Sequence, residues 1–315
     1  MKKKKIYIAG HLGMVGSAVL DTFLSKGYTN IISKSREALD LRNQQEVEKF
    51  IRLEKPDAII LAAAKVGGIL ANDKYPYQFL YDNLAIQTNV INAAHKYDVQ
   101  QLIFLGSSCI YPKHAPQPLK EEYLLTGPLE PTNQWYAIAK IAGIKLCQAL
   151  NKQYGRNYIA LMPTNLYGPR DNFDLETSHV VPAMMRKFYE AKQHGHAPVK
   201  LWGSGTPKRE FLYVDDLADA VLFAFEHDLQ ADLYNIGCGH DLTIKQLAEL
   251  IQQITEHQGK IIWDTDKPDG TPRKLMDVTK INNEGWHHTT ELKAGLTKTY
   301  RWFIEHAEES KPIVI

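Results

Sequence analysis

What this sequence lacks narrows it before any motif is read. Cysteine is scarce: Cys109, Cys147 and Cys238 are the only three in 315 residues, widely spaced and without a C-x-x-C pair. Neither a disulfide framework nor a zinc site is expected, and a reducing, cytoplasmic setting fits best. Charge of one sign is missing too. The 37 Lys and Arg nearly cancel the 36 Asp and Glu, which leaves no global field to attract nucleic acid or an anionic membrane. Any bound anion has to be held locally. No apolar run approaches the ~18 residues of a membrane helix, and the run behind the basic start, Ile6 to Ala9, is too short for a signal peptide. Internal repeats and low-complexity tracts are absent as well. Core-forming residues are not lacking, since 44% of the chain is hydrophobic, enough to fold without staples.

Short apolar runs at 5–10, 30–33, 58–61, 101–107 and 158–163 each lead into a helical pattern, with helices predicted at 15–26, 44–53, 83–97 and 133–154. This alternation predicts an α/β fold built on a Rossmann-like doubly wound parallel sheet, helices on both faces. After Pro163 the grammar changes. Pro, Gly, Asp and Asn cluster over 164–174, as expected of a loop leaving the sheet for a second unit. Further strands are predicted at 199–202, 211–214, 233–237 and 260–263, and helices at 214–225 and 243–254. The expected division is a large domain over 1–165, completed by about 214–238, and a smaller mixed α/β domain from 166–213 and 239–315.

Directly after the first strand stand Gly10, His11, Leu12, Gly13, Met14, Val15 and Gly16, leading into a helix. The glycines let the backbone turn tightly and approach a pyrophosphate, which then meets the free N–H groups and dipole of the helix N-terminus. The spacing is G-x-x-G-x-x-G, and an ordinary strand-to-helix turn is the bland alternative; the strand before and the helix after favour the cofactor reading. At the end of the second strand NAD proteins place a carboxylate for the ribose. Here the segment is Ser33-Lys34-Ser35-Arg36, so the expectation is NADP(H), with Arg36 reading the 2'-phosphate through its planar fork. A solvated basic turn followed by Glu37 is the competing reading.

Tyr136 and Lys140 lie four apart in a helical stretch and share one face. The ammonium can depress the phenol pKa and help the tyrosine exchange a proton with a substrate oxygen. About one Tyr-x-x-x-Lys pair is expected by chance in such a chain, so order matters more than spacing. The pair follows the fourth strand, whose end carries Ser107, Ser108 and Cys109, and a hydroxyl there can bond the same carbonyl oxygen.

The glycine loop, this serine and the later Tyr-x-x-x-Lys, in that order, resemble the extended short-chain dehydrogenase/reductases. Longer strings narrow the resemblance to the GDP-L-fucose synthase family: AAAKVGGI at 62–69, LGSSCIYP at 105–112, EPTN at 130–133, PTNLYGP at 163–169, WGSGTP at 202–207 and PDGTPRK at 268–274. The resemblance implies an NADP-binding first domain, a GDP-sugar-binding second domain and a homodimer joined by helices of the first. It also implies epimerisation of GDP-4-keto-6-deoxy-D-mannose at C3 and C5, then reduction at C4 with NADPH. Ser107, Tyr136 and Lys140 would be the reductase triad; Cys109 and His179 would move the epimerisation protons. Cofactor contacts would come from Gly10 to Gly16, from Arg36, Glu37, Ala38, Leu39, Asp40 and Leu41, from Leu105, Gly106, Ser107 and Ser108, from Lys140, from Pro163, Thr164, Asn165 and Leu166, and from His179. Substrate contacts would come from Lys187, Trp202, Arg209 and Asp269. Where Leu12 stands the family often has Arg, so the preference for NADPH falls more heavily on Arg36.

Each residue has a structural alternative. A lone Cys109 can be a small buried apolar residue, His179 a helix-start residue, Lys187 part of a polar helix face and Trp202 core. Cys147 and Cys238 are read as structural, and His287 and His288 as surface residues. The rival functions are another NADP-dependent nucleotide-sugar reductase, epimerase or dehydratase on the same scaffold, and a non-catalytic NADP-binding regulator.

Overall fold

The computed structural model describes residues 2–267 and 269–307, with only the backbone of Ile69 and Leu70. Pro268 of the PDGTPRK string and residues 308–315 of the expected second domain therefore lie outside the described residues. Five strands, β1 (Ile6–Ala9), β2 (Ile31–Ile32), β3 (Ala58–Leu61), β4 (Gln101–Leu105) and β5 (Asn157–Pro163), join Leu233–Ile236 in one six-stranded sheet. The pairings are all parallel, in the order Leu233–Ile236, β5, β4, β3, β1, β2. Ile6 pairs with Ile31 on one side and with Ala58 on the other, so the strand order reverses at β1. In open α/β sheets a ligand crevice forms beyond the strand ends at such a reversal.

Alternate residues of each strand enter two different cores. Ile6, Ile8, Ile60, Ile103, Leu105 and Ile159 pack with α1 (Met14–Ser25) on one face. Tyr7, Ala9, Ile59, Leu61, Leu102 and Phe104 pack on the other with α2 (Gln44–Glu54), α4 (Pro76–Lys96) and α5 (Gln134–Tyr154). Because both faces are covered, the strands read as continuous apolar runs rather than alternating ones. Between α2 and α4 a short α3 (Ile69–Lys74) follows the AAAKVGGI string. A third core joins Tyr167, Phe188, Leu201, Phe211, Ile251 and Phe303, supported by α6 (Val180–Gln193) and a helix at Leu292–Glu305. Met276, Ile281 and Trp286 return to the cores beside the large sheet.

Most predicted elements fall where expected, and the differences have local causes. α4 begins seven residues before the predicted start, with Pro76 in its first turn, where a missing N–H costs nothing. α6 has no predicted span, although the alternatives for His179 (a helix start) and Lys187 (a polar helix face) both fit it; Pro182 lies in its first turn, where a missing N–H costs nothing. Inside the expected loop after Pro163, Asn165–Tyr167 forms a parallel pair with Phe211–Tyr213.

One buried glutamate ties Asn165, Cys238–Gly239 and Met276 together. Glu210 is wholly buried and accepts the backbone N–H groups of Cys238 and Gly239 at 2.7 Å each and of Met276 at 2.9 Å. Its carbonyl accepts from Asn165 Nδ2 at 2.8 Å. Its neighbour Arg209 belongs to a small sheet in which Lys208–Arg209 lies between Leu242–Thr243 and Arg273–Lys274.

Candidate active site

The loop after β1 is shaped by close approach. Gly10 has φ +90°, and a Cβ on it would stand 2.7 Å from the backbone N of Ala63 at the end of β3. A Cβ on Gly16 would stand only 2.0 Å from Gly10 O. Gly13 differs: its φ is −78°, and a Cβ there would meet nothing nearer than Gly10 O at 3.6 Å, an ordinary contact. Helix capping favours glycine over alanine at 13 only modestly, and the space around it is open within the protein, so an approaching ligand is what a side chain there would obstruct. α1 then starts without a side-chain cap and without an acid in its first turn, and His11 Nδ1 is buried without a partner. A helix start left with free N–H groups and no acidic competitor suits a pyrophosphate. The residues present fit a dinucleotide, and the first turn of α1 with Gly10 to Gly16 would hold its phosphates.

Beyond β2, Arg36 is exposed. Asp40 is not free to repel a phosphate, because Arg42 grips it with Nε at 3.0 Å and Nη2 at 2.6 Å and pulls its pKa down to about 2. Glu37, exposed beside Arg36, is held below the usual carboxylate range chiefly by a backbone hydrogen bond. Leu39 is buried and Leu41 packs on the same core, leaving Arg36 as the outward cation of the stretch 36–41. Leu12 is 68% exposed. Further along the sheet's rim, Gly106 donates to Leu161 O at 2.9 Å, and Ser108 and Thr164 are buried.

The catalytic candidates converge where β4 ends. Ser107 opens a single helical turn over Ser108–Ile110, and its Oγ accepts the N–H of Cys109 at 3.4 Å. That turn brings hydroxyl and thiol to one place. Tyr136 lies in the first turn of α5 and Lys140 one turn on, with Lys140 Nζ 5.6 Å from the tyrosine ring centroid. Lys140 donates to Leu105 O at 2.8 Å and lies 4.8 Å from the Phe104 ring. Burial pulls the lysine pKa down to about 8. The expected lowering of the Tyr136 pKa is not what the structure gives. Burial pushes that phenol up, and the nearby thiol pushes it the same way, while the Lys140 ammonium is hydrogen-bonded to the Leu105 carbonyl. Tyr136 is thus a protonated donor at neutral pH.

Cys109 is 8% exposed and lines a small cavity, about 30 Å³, with Glu130, Asn133 and Lys274. Burial raises its pKa, opposed first by the Lys274 ammonium and then by Ser107 and Lys140. His179 caps α6 at its start without a side-chain cap bond. The residue is exposed, yet desolvation by the surrounding protein lowers its pKa, with Lys274 adding to the effect. The turn before it is built by Asp174, which accepts from the N–H groups of Glu176 and Thr177. Gly68 closes the contact: its N–H donates to Thr177 O at 3.0 Å, and a Cβ there would lie 2.7 Å from Ser178 O. Lys274 is the member that sequence reasoning passed over. It lay inside a quoted string, but only the fold sets it against Cys109, His179, Arg209 and Glu130.

The remaining candidates form an outer cluster. Lys187 Nζ donates to Lys200 O at 3.1 Å and lies 6.0 Å from the ring of Trp202, which is 47% exposed. Lys267 approaches the same ring to 5.5 Å. Asp269 accepts from Ser204 N at 2.7 Å and Ser204 Oγ at 2.8 Å, so it pins the turn that follows Trp202. Arg209, its pKa lowered by burial, is within electrostatic reach of Asp269. A cavity of about 380 Å³ lies elsewhere, between α1, Pro169–Arg170 and Val214–Asp215, and none of the five catalytic candidates lines it.

Comparison with known proteins agrees with this geometry. The NAD dependent epimerase/dehydratase family matches residues 6–237. A probable GDP-L-fucose synthase of Oryza sativa is 55% identical, covering 98% of this chain and 95% of its own. The GDP-L-fucose synthase of Escherichia coli K12 is 50% identical, covering 98% and 99%. Among solved structures, a GDP-L-fucose synthetase of Naegleria fowleri bound to NADP superposes with a TM-score of 0.89 at 27% identity, covering 98% and 96%. With its sheet, its glycine loop and these relatives in agreement, the chain belongs to the NAD dependent epimerase/dehydratase family, on the branch of the GDP-L-fucose synthases.

Proposed function

We propose that this protein converts GDP-4-keto-6-deoxy-D-mannose to GDP-L-fucose, by epimerisation at C3 and C5 and then reduction at C4, with NADPH as reductant. The observation that carries the reading is a protonated tyrosine and a buried lysine one helical turn apart, each within electrostatic reach of the Cys109 thiol. The relatives' printed activity supports it.

Bound NADPH supplies the hydride for C4. Hydrogens at C3 and C5 flank the C4 carbonyl, so removing either leaves an enolate with its charge on O4. Tyr136 and Ser107, as donors, stabilise that oxygen during epimerisation, and Tyr136 gives it a proton during reduction. Lys140, fixed on Leu105 O, keeps a positive charge beside them. Inversion needs a base on one face and an acid on the other; Cys109 takes the proton and His179 returns one. Arg209 and Lys187 meet the diphosphate, and Trp202 stacks on the base.

The sheet-centred unit (1–165 with about 214–238) serves the cofactor, and the third core's unit (166–213 with 239 onward) serves the GDP-sugar. Tyr77 and Tyr81 on α4 and Ile138 on α5 are exposed and suit a homodimer contact between these helices. Among the described residues no helix is long and apolar enough to cross a membrane, and the three free thiols suit the cytoplasm. The test is proton NMR of the product formed in deuterated water with NADPH. Cys109→Ser should retain slow NADPH oxidation but lose most deuterium entry at C3 and C5. A normal yield of doubly inverted, deuterated product from Cys109→Ser would refute this assignment.

A further inference from the structure

The segment that leaves β3 is clasped by a side chain that the mechanism above does not use. Asn72 on α3 is 4% exposed, and its Nδ2 donates to two successive carbonyls, Gly67 O at 2.8 Å and Gly68 O at 3.1 Å. Its backbone N–H donates to Gly68 O as well, at 3.1 Å. Among the described residues its Oδ1 is buried without a partner, a cost set against the two bonds its nitrogen makes. The clasp fixes both peptide planes of the Gly67–Gly68 turn, and that turn bears directly on the approach to His179. Gly68 N–H donates to Thr177 O at 3.0 Å, and the space beyond is closed, since a Cβ on Gly68 would stand 2.7 Å from Ser178 O. His179 starts α6 without a side-chain cap bond, so the chain on either side sets its place. The turn before it is stiff in itself: Asp174 Oδ1 accepts from Glu176 N at 3.1 Å, Thr177 N at 2.9 Å and Thr177 Oγ1 at 2.8 Å. A stiff turn moves as a body. Its bond to Gly68 therefore governs where it, and the histidine that follows, sits against the exit of β3.

We propose that Asn72 is a positioning residue of the epimerisation, fixing through the Gly67–Gly68 turn the backbone that carries His179. This rests on the epimerase reading above. In the step that His179 performs, the enolate's electron pair forms the new C–H bond as the imidazole N–H breaks and the C4 carbonyl is restored; the imidazole then takes a proton from water. Proton transfer tolerates little displacement, because donor and carbon must meet at hydrogen-bond range. If the acid is displaced, the carbon regains a proton on the face that lost one, and the sugar returns with solvent hydrogen but its old configuration. Hydride transfer at C4 runs through Tyr136 and is not touched. The clasp needs a donor: a carboxylate at 72 would turn an oxygen toward two carbonyl oxygens.

The experiment measures three rates on the full chain: inversion at C3, solvent deuterium exchange at C3, and NADP+ reduction by GDP-L-fucose, which is the hydride step run backwards. Asn72→Ala should lower inversion by about tenfold or more, leave most of the exchange, and keep the hydride step within about twofold. In a His179→Gln background it should cost nothing further. Equal losses in all three rates, or an added loss in that background, would mean that Asn72 only supports the fold, and the proposal is overturned. Should Asn72→Ala not fold, Gly68→Ala approaches from the other side: its φ of −64° suits alanine, so its conflict is with Ser178 O, and the same split is expected. A second readout needs no substrate. Desolvation, with Lys274 adding to it, holds His179 below the ordinary histidine range, and in Asn72→Ala its NMR titration midpoint, assigned with His179→Gln, should rise toward the ordinary value. An unmoved midpoint overturns the proposal. Wild-type protein that exchanges no deuterium would sink the epimerase reading, while the titration would still judge Asn72.

Discussion

The sharpest prediction separates two glycines three residues apart. In Gly13→Ala the new methyl meets only Gly10 O at 3.6 Å, and φ of −78° suits alanine. Stability should therefore change by less than about 0.5 kcal/mol, the entropy gained by stiffening the unfolded chain offsetting a poorer helix cap. Melting should move by no more than about 2 °C. Cofactor binding should suffer far more, because the methyl stands between the helix N–H groups and a pyrophosphate. Two charge-assisted hydrogen bonds at about 1.5 kcal/mol each amount to about 3 kcal/mol, or roughly a hundredfold in Kd. Gly16→Ala should fail differently. Its methyl would sit 2.0 Å from Gly10 O, whereas real contacts of this kind do not fall below 3.0 Å, so the loop must move and both folding and binding are lost together. Thermal melts alone and calorimetric titration with NADPH distinguish the cases. A Gly13→Ala protein that binds NADPH with wild-type affinity would show that the phosphates do not lie over the start of α1.

Arg36→Ala should raise the Kd for NADPH about tenfold while leaving that for NADH within twofold, since only the phosphorylated ribose meets the guanidinium; equal losses would mean Arg36 does not read the 2'-phosphate. Tyr136→Phe removes one hydroxyl and little volume, so it should keep cofactor affinity and lower NADPH oxidation by at least about a hundredfold, and near-normal turnover would show the donor is another group. Lys140 gives a pH signature in stability. Its folded pKa of about 8 lies below the ordinary lysine value of 10.5, so between those pH values the unfolded chain binds more protons. Stability from this site should rise with pH across that window, by up to about 3 kcal/mol, and Lys140→Met should remove the slope. A slope that persists in denaturant titrations of Lys140→Met belongs to another group.

Much of this was legible from sequence because burial on both faces writes itself as unbroken apolar runs. Ala58 to Leu61 is an example: it was bounded correctly and lies at the centre of the sheet. Tyr136 and Lys140 were found because their meeting is local, one helical turn apart. Two things were not legible. The extent of α6 depended on where it docks in the third core, so only its start at His179 and its polar face at Lys187 could be read. The direction of the Tyr136 pKa depended on how much protein surrounds the ring and where the Lys140 ammonium points, neither of which spacing records. Lys274 was missed for a related reason. Its importance comes from a two-residue strand pairing and a cavity shared with a residue far away in the chain, and no periodicity announces either.

Glu210 has a consequence for where the molecule opens last. Its carboxylate and carbonyl bind chain from the end of the last sheet strand, from the segment that carries Lys274 and from the exit of β5, in a place where an unmatched charge would be severely destabilising. Separating those segments would strand the carboxylate and three N–H groups at once. This junction is therefore expected to be among the last parts of the molecule to open, with its backbone N–H groups protected from exchange far longer than those of the solvent-facing turn that Asp269 pins after Trp202.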